Sequence, residues 1–406
     1  MTRFFANYDI CSLIRGYFCR QFSLVQLYMM RRFLPLLTTL SFLFLYGYVS
    51  GQDTAKSSKS QIVLEQIQKY LKVGGWLDAQ YAYEYYNPDN QSSVFQIRRA
   101  RLDFKGSPTK WVDYRLQVDF APNPRLIDAF VKVNFCKQVQ LQVGQFKIPF
   151  SLENKLSPLD LELMENAQVV SALSGYKDVT GISSYSNGRE IGAMLTGTLA
   201  SAEVRGERIP ILQYGVGVFG GNGINVKTDN LAKDVSARVE FSPFVKGLTL
   251  SASGYWGKYD MLHDGVTTHT DGVRFRYAGG LQYTDRHWVL RGEYLWGKTD
   301  FAAVDPLTDD YVPVPTRTQG FYVTAGYWFR FGWGDNSKIE QKLRPLLRFD
   351  YYEKDKTSNT NSIYYSTGVE WWPEKHLRTQ LAYTLKQHPK DQSFGHNVTM
   401  MVSAVF

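Results

Sequence analysis

The fold is decided by stretches such as Leu377-Arg378-Thr379-Gln380-Leu381-Ala382-Tyr383-Thr384-Leu385-Lys386, in which apolar or aromatic residues alternate with polar or small ones. The same period of two runs from Val112 to Phe120 and from Val273 to Gln282. Successive side chains of a β-strand point to opposite faces, so each stretch has one apolar face and one polar face. The apolar faces would meet in the core of a soluble sandwich, or face lipid in a barrel that spans a membrane.

Turn-forming residues divide the chain into about sixteen such strands. We expect them at 70–86, 93–106, 111–121, 126–135, 138–146, 189–200, 208–220, 233–242, 247–258, 272–284, 287–299, 317–332, 342–353, 362–373, 376–388 and 394–406. Short polar turns alternate with longer connections at 221–232, 259–271, 300–316 and, longest of all, 147–188. This rhythm is typical of an up-and-down membrane barrel with an even strand number. The prediction is an all-β fold, a 16-stranded antiparallel transmembrane β-barrel over residues 70–406.

Composition excludes other classes of protein. The 406 residues are 15% aromatic, which excludes a disordered chain, and the abundance of Tyr, Phe and Gly is unlike a coiled coil or helical bundle. Only one apolar run, near the start, approaches the length of a transmembrane helix, so a polytopic helical membrane protein is excluded. The net charge of +8 is mild, and no basic cluster or motif indicates a nucleic-acid partner.

The first fifty residues are expected to direct export. Arg31 and Arg32 precede an apolar run over 33–49, and small residues follow it, which predicts a signal peptide at 29–51 within a leader of 1–51. A membrane-anchoring helix is the alternative, and translation could start at Met1, Met29 or Met30. Cleavage would remove five Arg and one Asp, leaving a charge of +4. Residues 52–69 are then a periplasmic segment, either a short helix or disordered.

Aromatic residues and the last strand favour the membrane alternative. Tyr and Trp gather at strand ends, as at Tyr85–Tyr86, Trp296 and Trp371–Trp372, where one end of the ring is apolar and the other polar. The chain ends on an alternating strand that closes with Phe406, which resembles the terminus of Gram-negative outer-membrane barrels. The expected location is therefore the outer membrane.

Polarity indicates which face lines the interior. Placing the apolar set outward leaves eleven basic and nine acidic side chains pointing inward, among them Arg274 and Arg276. Two interpretations stay open: a structural network of ion pairs, or a hydrated pore whose wall selects among ions. A sixteen-stranded barrel is wide enough to hold an aqueous channel.

The long segment 147–188 is the expected constriction. Ser157 as N-cap and Pro158 at the first helical position predict a helix that presents Leu163, Met164, Ala167 and Val170 on one face. Folding into the barrel would bury this apolar face and narrow the pore. Packing against a neighbouring subunit is the alternative.

Five stretches of this chain resemble one known family, the phosphate-selective porins O and P. They are Gly144 to Glu153 (Gly-Gln-Phe-Lys-Ile-Pro-Phe-Ser-Leu-Glu), Phe95 to Gly106, Val118 to Ala121, Asp128 to Val131 and Leu163 to Glu165. The resemblance implies a trimeric sixteen-stranded channel in which Arg and Lys at the constriction bind phosphate and similar anions. The expected partners are these solutes and the lipid of the outer membrane.

The candidate pore-lining and anion-binding residues follow from the inward register and from this resemblance: Arg99, Arg101, Arg115, Lys132, Lys147, Arg274 and Arg276. Residues 147–189 carry four basic against five acidic side chains, so the segment departs from a simple anion filter. The predicted function is passive diffusion of small anions, with phosphate implied by the family. A general non-selective pore, and a non-conducting barrel for adhesion or anchoring, are the alternatives.

An enzyme is not expected. An outer-membrane enzyme with a Ser–His site is the competing hypothesis, but all six His fall in expected loops or at strand ends and no nucleophile motif accompanies them. His263 and His269 share an expected loop without a third metal ligand, and the three Cys have no metal spacing. The sequence predicts neither a cofactor nor a metal.

Overall fold

The computed structural model describes residues 70–181, 187–204, 206–227, 232–263, 266–332, 340–356, 360–388 and 393–406. The predicted leader 1–51, its signal peptide, the alternative start codons and segment 52–69 lie outside the described residues. The strands are β1 (Lys72–Asn87), β2 (Asn90–Thr109), β3 (Val112–Asp119), β4 (Arg125–Asn134), β5 (Gln140–Lys147), β6 (Arg189–Val204), β7 (Glu207–Phe219), β8 (Asp234–Phe241), β9 (Leu248–His263), β10 (Val266–Thr284), β11 (Trp288–Val304), β12 (Tyr311–Tyr327), β13 (Phe329–Gly332), β14 (Glu340–Asp355), β15 (Thr360–Glu374), β16 (Leu377–His388) and β17 (Ser393–Val405).

The strands form one closed antiparallel sheet. Each pairs with its neighbours in sequence, and β17 pairs with β1 to complete the ring. Segments β12 and β13 flank Trp328 and pair with β14 in one continuous register, from Gly326↔Leu346 to Phe329↔Leu343. They are therefore one crossing strand, and the predicted 16-stranded barrel is confirmed.

The two faces of the wall are sorted as predicted, with the apolar face outward. On β16, Leu381 is 54% exposed while Arg378 is fully buried, and on β3 Leu116 is 41% exposed while Asp119 is fully buried. A soluble protein places these residue types the other way round. Charge facing lipid near the bilayer centre costs about 2–4 kcal/mol for Arg or Lys, which accounts for the arrangement.

The two longest connections, 148–188 after β5 and 220–233 after β7, lie at one edge of the barrel, opposite an edge with short connections only. Those after β2, β4, β6, β8, β10, β13 and β15 are two to seven residues long and share an edge with the start of β1 and the end of β17. We call this the lower edge and the opposite one the upper edge. Short turns of outer-membrane barrels face the periplasm, so the upper edge corresponds to the outside of the cell.

Two of the predicted long loops are wrong. Within 259–271, strands β9 and β10 continue as a hairpin and leave only residues 264–265 between them. Within 300–316, β11 and β12 stay paired as far as Val304↔Tyr311. Beyond Trp256 the polarity of β9 is reversed: Tyr259 and Met261 are buried on the inward face, while Lys258 is exposed on the outward face. The pattern of apolar residues outward therefore no longer marks the strand, although the backbone pairing continues.

The segment 148–188, here named the inward loop, folds into the barrel as predicted but with different helices. They are α1 (Leu152–Lys155) and α2 (Gln168–Leu173). The helix predicted to start at Ser157 is wrong, because residues 158–160 form a turn in which Asp160 N–H donates to the Ser157 carbonyl at 2.9 Å. None of the described helices has the length and apolarity needed to cross a membrane.

The wall explains why no helix forms after Ser157. Arg378 donates to the carbonyl of Leu161 at 2.7 Å, and Gln380 donates to that of Glu162 at 3.1 Å. Further along, Arg98 and Arg348 donate to the carbonyls of Met164 and Glu165 at 3.2 and 3.0 Å. A helix would use these carbonyls internally, so segment 161–165 stays non-helical.

Candidate functional site

The inward loop is attached to one side of the barrel interior. Helix α2 contacts β11, β12 and β14, and its side chains Val169, Val170 and Leu173 are fully buried. They join an apolar cluster with Leu295 and Tyr322 from the wall. These apolar side chains contact the wall instead of water, which explains why the loop folds into the barrel as predicted.

Acidic residues of the inward loop pair with arginines of the wall. Asp178 accepts two hydrogen bonds from Arg276 at 2.6 and 2.8 Å. Glu162 pairs with Arg291 at 2.5 Å and lies 3.7 Å from Arg344. The acidic composition of this loop, which the sequence left unexplained, is therefore that of a wall-binding element.

Two further pairs complete this attachment. Glu153 is fully buried and accepts a hydrogen bond from Arg348, and Glu165 pairs with Arg98 at 2.8 Å.

Burial alone would raise the pKa of Glu162 and of Asp178. The neighbouring arginines outweigh it and hold both pKa values below their ordinary range.

Of the predicted site residues, Arg99, Arg101 and Arg115 lie on neighbouring strands with acidic partners. Arg99 pairs with Asp78 at 3.1 Å and Arg101 with Asp119 at 2.8 Å, and the Arg101 side chain is only 3% exposed. Arg115 binds Asp103 through two hydrogen bonds of 2.8 and 3.0 Å and keeps a third of its side chain exposed. Arg115 is thus the most accessible of the three.

The two predicted lysines, Lys147 and Lys132, occupy different environments. Lys147 donates through Nζ to the carbonyls of Asn154 (2.7 Å) and Leu156, so it holds the end of α1. Lys132 lies opposite Asp113 in the β3–β4 register.

Arg274 and Arg276 are the most deeply placed of the set. Arg274 pairs with Asp234, Arg276 pairs with Asp178, and both arginine side chains are at most 2% exposed. Their placement makes them supports of the loop and wall rather than surfaces that a solute can reach.

Sequence reasoning missed Arg98. A register shift between Asp78↔Arg99 and Ala79↔Ile97 leaves Arg98 as an extra residue in β2. Such a bulge breaks the alternation of faces, so the adjacent Arg98 and Arg99 both point inward and bond to interior groups. The run of three arginines at 98, 99 and 101 was the available signal, because strict alternation would have placed one of them in lipid.

A cavity of about 380 Å³, here called the basic cavity, lies between the inward loop and the wall of β1, β3–β6 and β8. Its charged lining comprises two acidic residues, Asp128 and Asp160, and five basic ones: Arg115, Lys147, Lys155, Arg189 and Arg238. Two members of the predicted set, Arg115 and Lys147, thus line it together. The basic cavity also includes Lys155, one of the four basic residues of 147–189, which was not among the predicted site residues.

Two other cavities flank the inward loop. One of about 450 Å³, the lower cavity, lies toward the lower edge and shares Lys155, Ser157 and Asp160 with the basic cavity. The other, of about 670 Å³, is the upper cavity, lined by residues 163–181 of the loop and by β1, β2 and β14–β17. In the described ranges no cluster of three or more His, Cys, Asp or Glu is placed to hold a metal ion.

Comparison with known proteins agrees with this architecture. Similar folds include the anion-selective porin from Comamonas acidovorans, at 12% identity and a TM-score of 0.56 over 83% of this chain and 99% of that one. The high-pH structure of Pseudomonas putida OprB has 12% identity and a TM-score of 0.56 over 86% and 97%. The trimer form of Vibrio cholerae OmpT has 10% identity and a TM-score of 0.53 over 83% and 100%.

At these identities the solved structures show the fold alone, and no curated protein sequence matches the chain. The family is shown by a sequence model described as phosphate-selective porin O and P, which matches residues 71–401. With a closed barrel, a lipid-facing apolar exterior and a charged interior, this chain belongs to the phosphate-selective porin O and P family of outer-membrane channels.

Proposed function

We propose that this porin is a water-filled channel for the passive diffusion of small anions, with phosphate among them. The observation that carries the proposal is the basic cavity, where five basic side chains face two acidic ones. Low-dielectric walls concentrate the field of such a lining, which raises the local concentration of anions.

The basic side chains of this cavity are also more exposed to water than the carboxylates with which they pair. In the pair of Arg115 with Asp103, the arginine side chain is 33% exposed and the aspartate 8%. In the pair of Lys155 with Glu240, the lysine is 49% exposed and the glutamate 7%. The cation therefore faces the water of the cavity while the carboxylate lies behind it.

Such a lining suits transient binding of an oxyanion. Guanidinium and ammonium groups donate charge-assisted hydrogen bonds that replace part of the hydration shell of the anion. Since Arg115 and Lys155 are already partly neutralised by Asp103 and Glu240, the anion is held weakly enough to leave, which conduction requires.

The test is the reversal potential of the purified protein in a planar bilayer under a gradient of potassium chloride and then of potassium phosphate. We expect an anion-preferring value, and we expect Arg115→Gln combined with Lys155→Gln to move it toward zero. Lys110→Gln is the matched control, because Lys110 is exposed in a lower turn away from the basic cavity. A cation-preferring wild type would contradict the proposal.

A general diffusion pore is the second candidate, and one observation favours it. When the buried partners Asp103 and Glu240 are counted with the lining residues of the basic cavity, the balance becomes five basic against four acidic groups. Selectivity would then be weak. A permeability ratio of chloride to potassium near one would support this candidate.

Export and assembly are part of the same proposal. We propose that a signal peptide at 29–51 is removed near Gly51–Gln52, leaving 52–69 as a periplasmic segment before the barrel at 70–406. Amino-terminal sequencing of the protein from outer membranes tests this, and retention of residues 29–51 would contradict it. A homotrimer is supported by the trimer form of OmpT, and the mass of the native complex in detergent would decide it.

A further inference from the structure

The upper cavity is larger than an inorganic oxyanion requires. Its volume of about 670 Å³ exceeds those of the basic cavity, about 380 Å³, and the lower cavity, about 450 Å³, and lies in the middle of the range of about 300–1,000 Å³ typical of sites for small organic ligands. It lies on the upper side of the inward loop, so a solute from outside the cell reaches it before the basic cavity.

The lining of the upper cavity also differs in kind. Nine of its side chains are Ser, Thr, Asn or Gln, whereas the basic cavity has three, Gln117, Gln142 and Ser157. Amides and hydroxyls both donate and accept hydrogen bonds. Such a surface suits a solute that carries several hydroxyl groups, each of which also donates and accepts. Ser366, Thr384 and Asn397 belong to this polar set.

Cations accompany this neutral polar surface. Lys177 on the inward loop and Lys354 at the top of β14 are both exposed, whereas Arg98 of β2 is paired with Glu165. Counting all lining residues, five are basic and four acidic. The upper cavity therefore combines a modest positive excess with a hydroxyl-binding surface, while the basic cavity offers mainly charge.

We infer that the upper cavity is a binding site for polyhydroxylated phosphate monoesters, the chemical class of the sugar phosphates. The hydroxyl groups lie against the Ser366, Thr384 and Asn397 side of the cavity, and the phosphate faces the exposed Lys177 and Lys354. This inference rests on the proposed anion channel and adds to it a preference for the organic part of the solute.

The test compares two probes with the same headgroup and a ring of similar size. Glucose 6-phosphate carries ring hydroxyls, and cyclohexyl phosphate carries none. Each is added to the upper side of a reconstituted channel that conducts potassium chloride. We expect the half-blocking concentration of glucose 6-phosphate to be about tenfold lower than that of cyclohexyl phosphate. This is the ratio expected from one to two net hydrogen bonds.

A paired substitution isolates the hydroxyl surface. The hydroxyls of Ser366 and Thr384 bond to each other at 2.9 Å, so Ser366→Ala with Thr384→Val removes both partners and leaves neither of them unpaired. The matched control is Ser242→Ala with Thr249→Val, which removes a similar pair, 3.3 Å apart, from the lining of the lower cavity.

The outcomes separate this inference from the proposed function. We expect the Ser366/Thr384 variant to bring the ratio of the two half-blocking concentrations close to one, and the control to leave it unchanged. Equal block by both probes in the wild type, or an unchanged ratio in the Ser366/Thr384 variant, would overturn the inference. In either case an anion-preferring reversal potential would leave the proposed channel function standing, whereas a cation-preferring one would remove that function itself.

Discussion

The ion pair between Arg276 and Asp178 offers a measurable test of how the inward loop is held. Arg276 donates twice to Asp178, at 2.6 and 2.8 Å, and once to the Leu173 carbonyl at 2.8 Å. Replacing Arg276 by Met keeps an apolar stem and removes the charge, which leaves the Asp178 carboxylate buried without its partner. Breaking a buried pair in this way costs about 3–5 kcal/mol.

The lost pairing destabilises the state in which residues 174–181 contact the wall. Since about 1.4 kcal/mol corresponds to a factor of ten, the population in which residues 174–181 leave the wall should rise by roughly 10²–10⁴-fold. Opening should stay local, because the apolar contacts of α2 and the Glu153–Arg348 pair are untouched.

Hydrogen exchange of the protein in detergent is the assay, with single-channel noise as the functional readout. We expect faster exchange over 174–181 and larger current fluctuations for Arg276→Met. The control is Arg276→Met with Asp178→Leu, which removes both charges and should restore most of the protection. Wild-type exchange and noise in the single variant, or equal opening in the single and double variants, would refute the argument that this pair holds the loop.

Three other predictions concern the loop and the wall. The pKa values of Glu162 and Asp178 are lowered by arginines that outweigh burial, so the stability that these two carboxylates contribute is present above their ordinary pKa values and is lost as pH falls through the lowered ones. After correction for the intrinsic pH dependence of amide exchange, the protection of the amides beside Glu162 and Asp178 should be constant between about pH 8 and 5 and fall only below about pH 4; a loss of this protection at pH 6 would count against the argument. Leu381→Arg places charge on the outward face and should cost about 2–4 kcal/mol of unfolding free energy in lipid, measured by urea titration in vesicles beside Leu381→Met as control. Gly144→Ala should lower the yield of folded barrel, because Gly144 has a φ of 132° and an added Cβ would lie 2.2 Å from the Ala129 carbonyl oxygen; a heat-modifiable gel shift equal to wild type would contradict this.

The barrel could be predicted from sequence because each strand repeats the same local constraint. Leu381 and Arg378 must lie on opposite faces of a single strand, whatever its neighbours are. Their observed exposures of 54% and 0% follow from that constraint and from the cost of charge in lipid. Sixteen repetitions of one local rule leave little room for error in strand number.

Prediction failed where tertiary contacts override the local pattern. Ser157 and Pro158 carry the signals of a helix start, yet Arg378 and Gln380 take up carbonyls of the following residues. Likewise the bulge at Arg98 depends on how β2 meets β1. Neither contact is visible from the periodicity of one segment, since the partners lie more than 200 residues apart or on another strand.

The charge content of the interior does not by itself determine selectivity, because the two sides of the barrel use their cations differently. On the side of β10–β14, the carboxylates of the inward loop form ion pairs with Arg276, Arg291 and Arg348. On the side of β3–β8, Arg115 pairs with the wall carboxylate Asp103, which lies behind it, and keeps a third of its own side chain exposed. A tally of inward residues counts both groups alike and gives a nearly neutral pore. Under the proposed function, cations that stay accessible to solutes, such as Arg115, set the preference for anions. The acidic loop leaves that preference intact, because its carboxylates Glu162 and Asp178 are bound to buried arginines of the opposite wall.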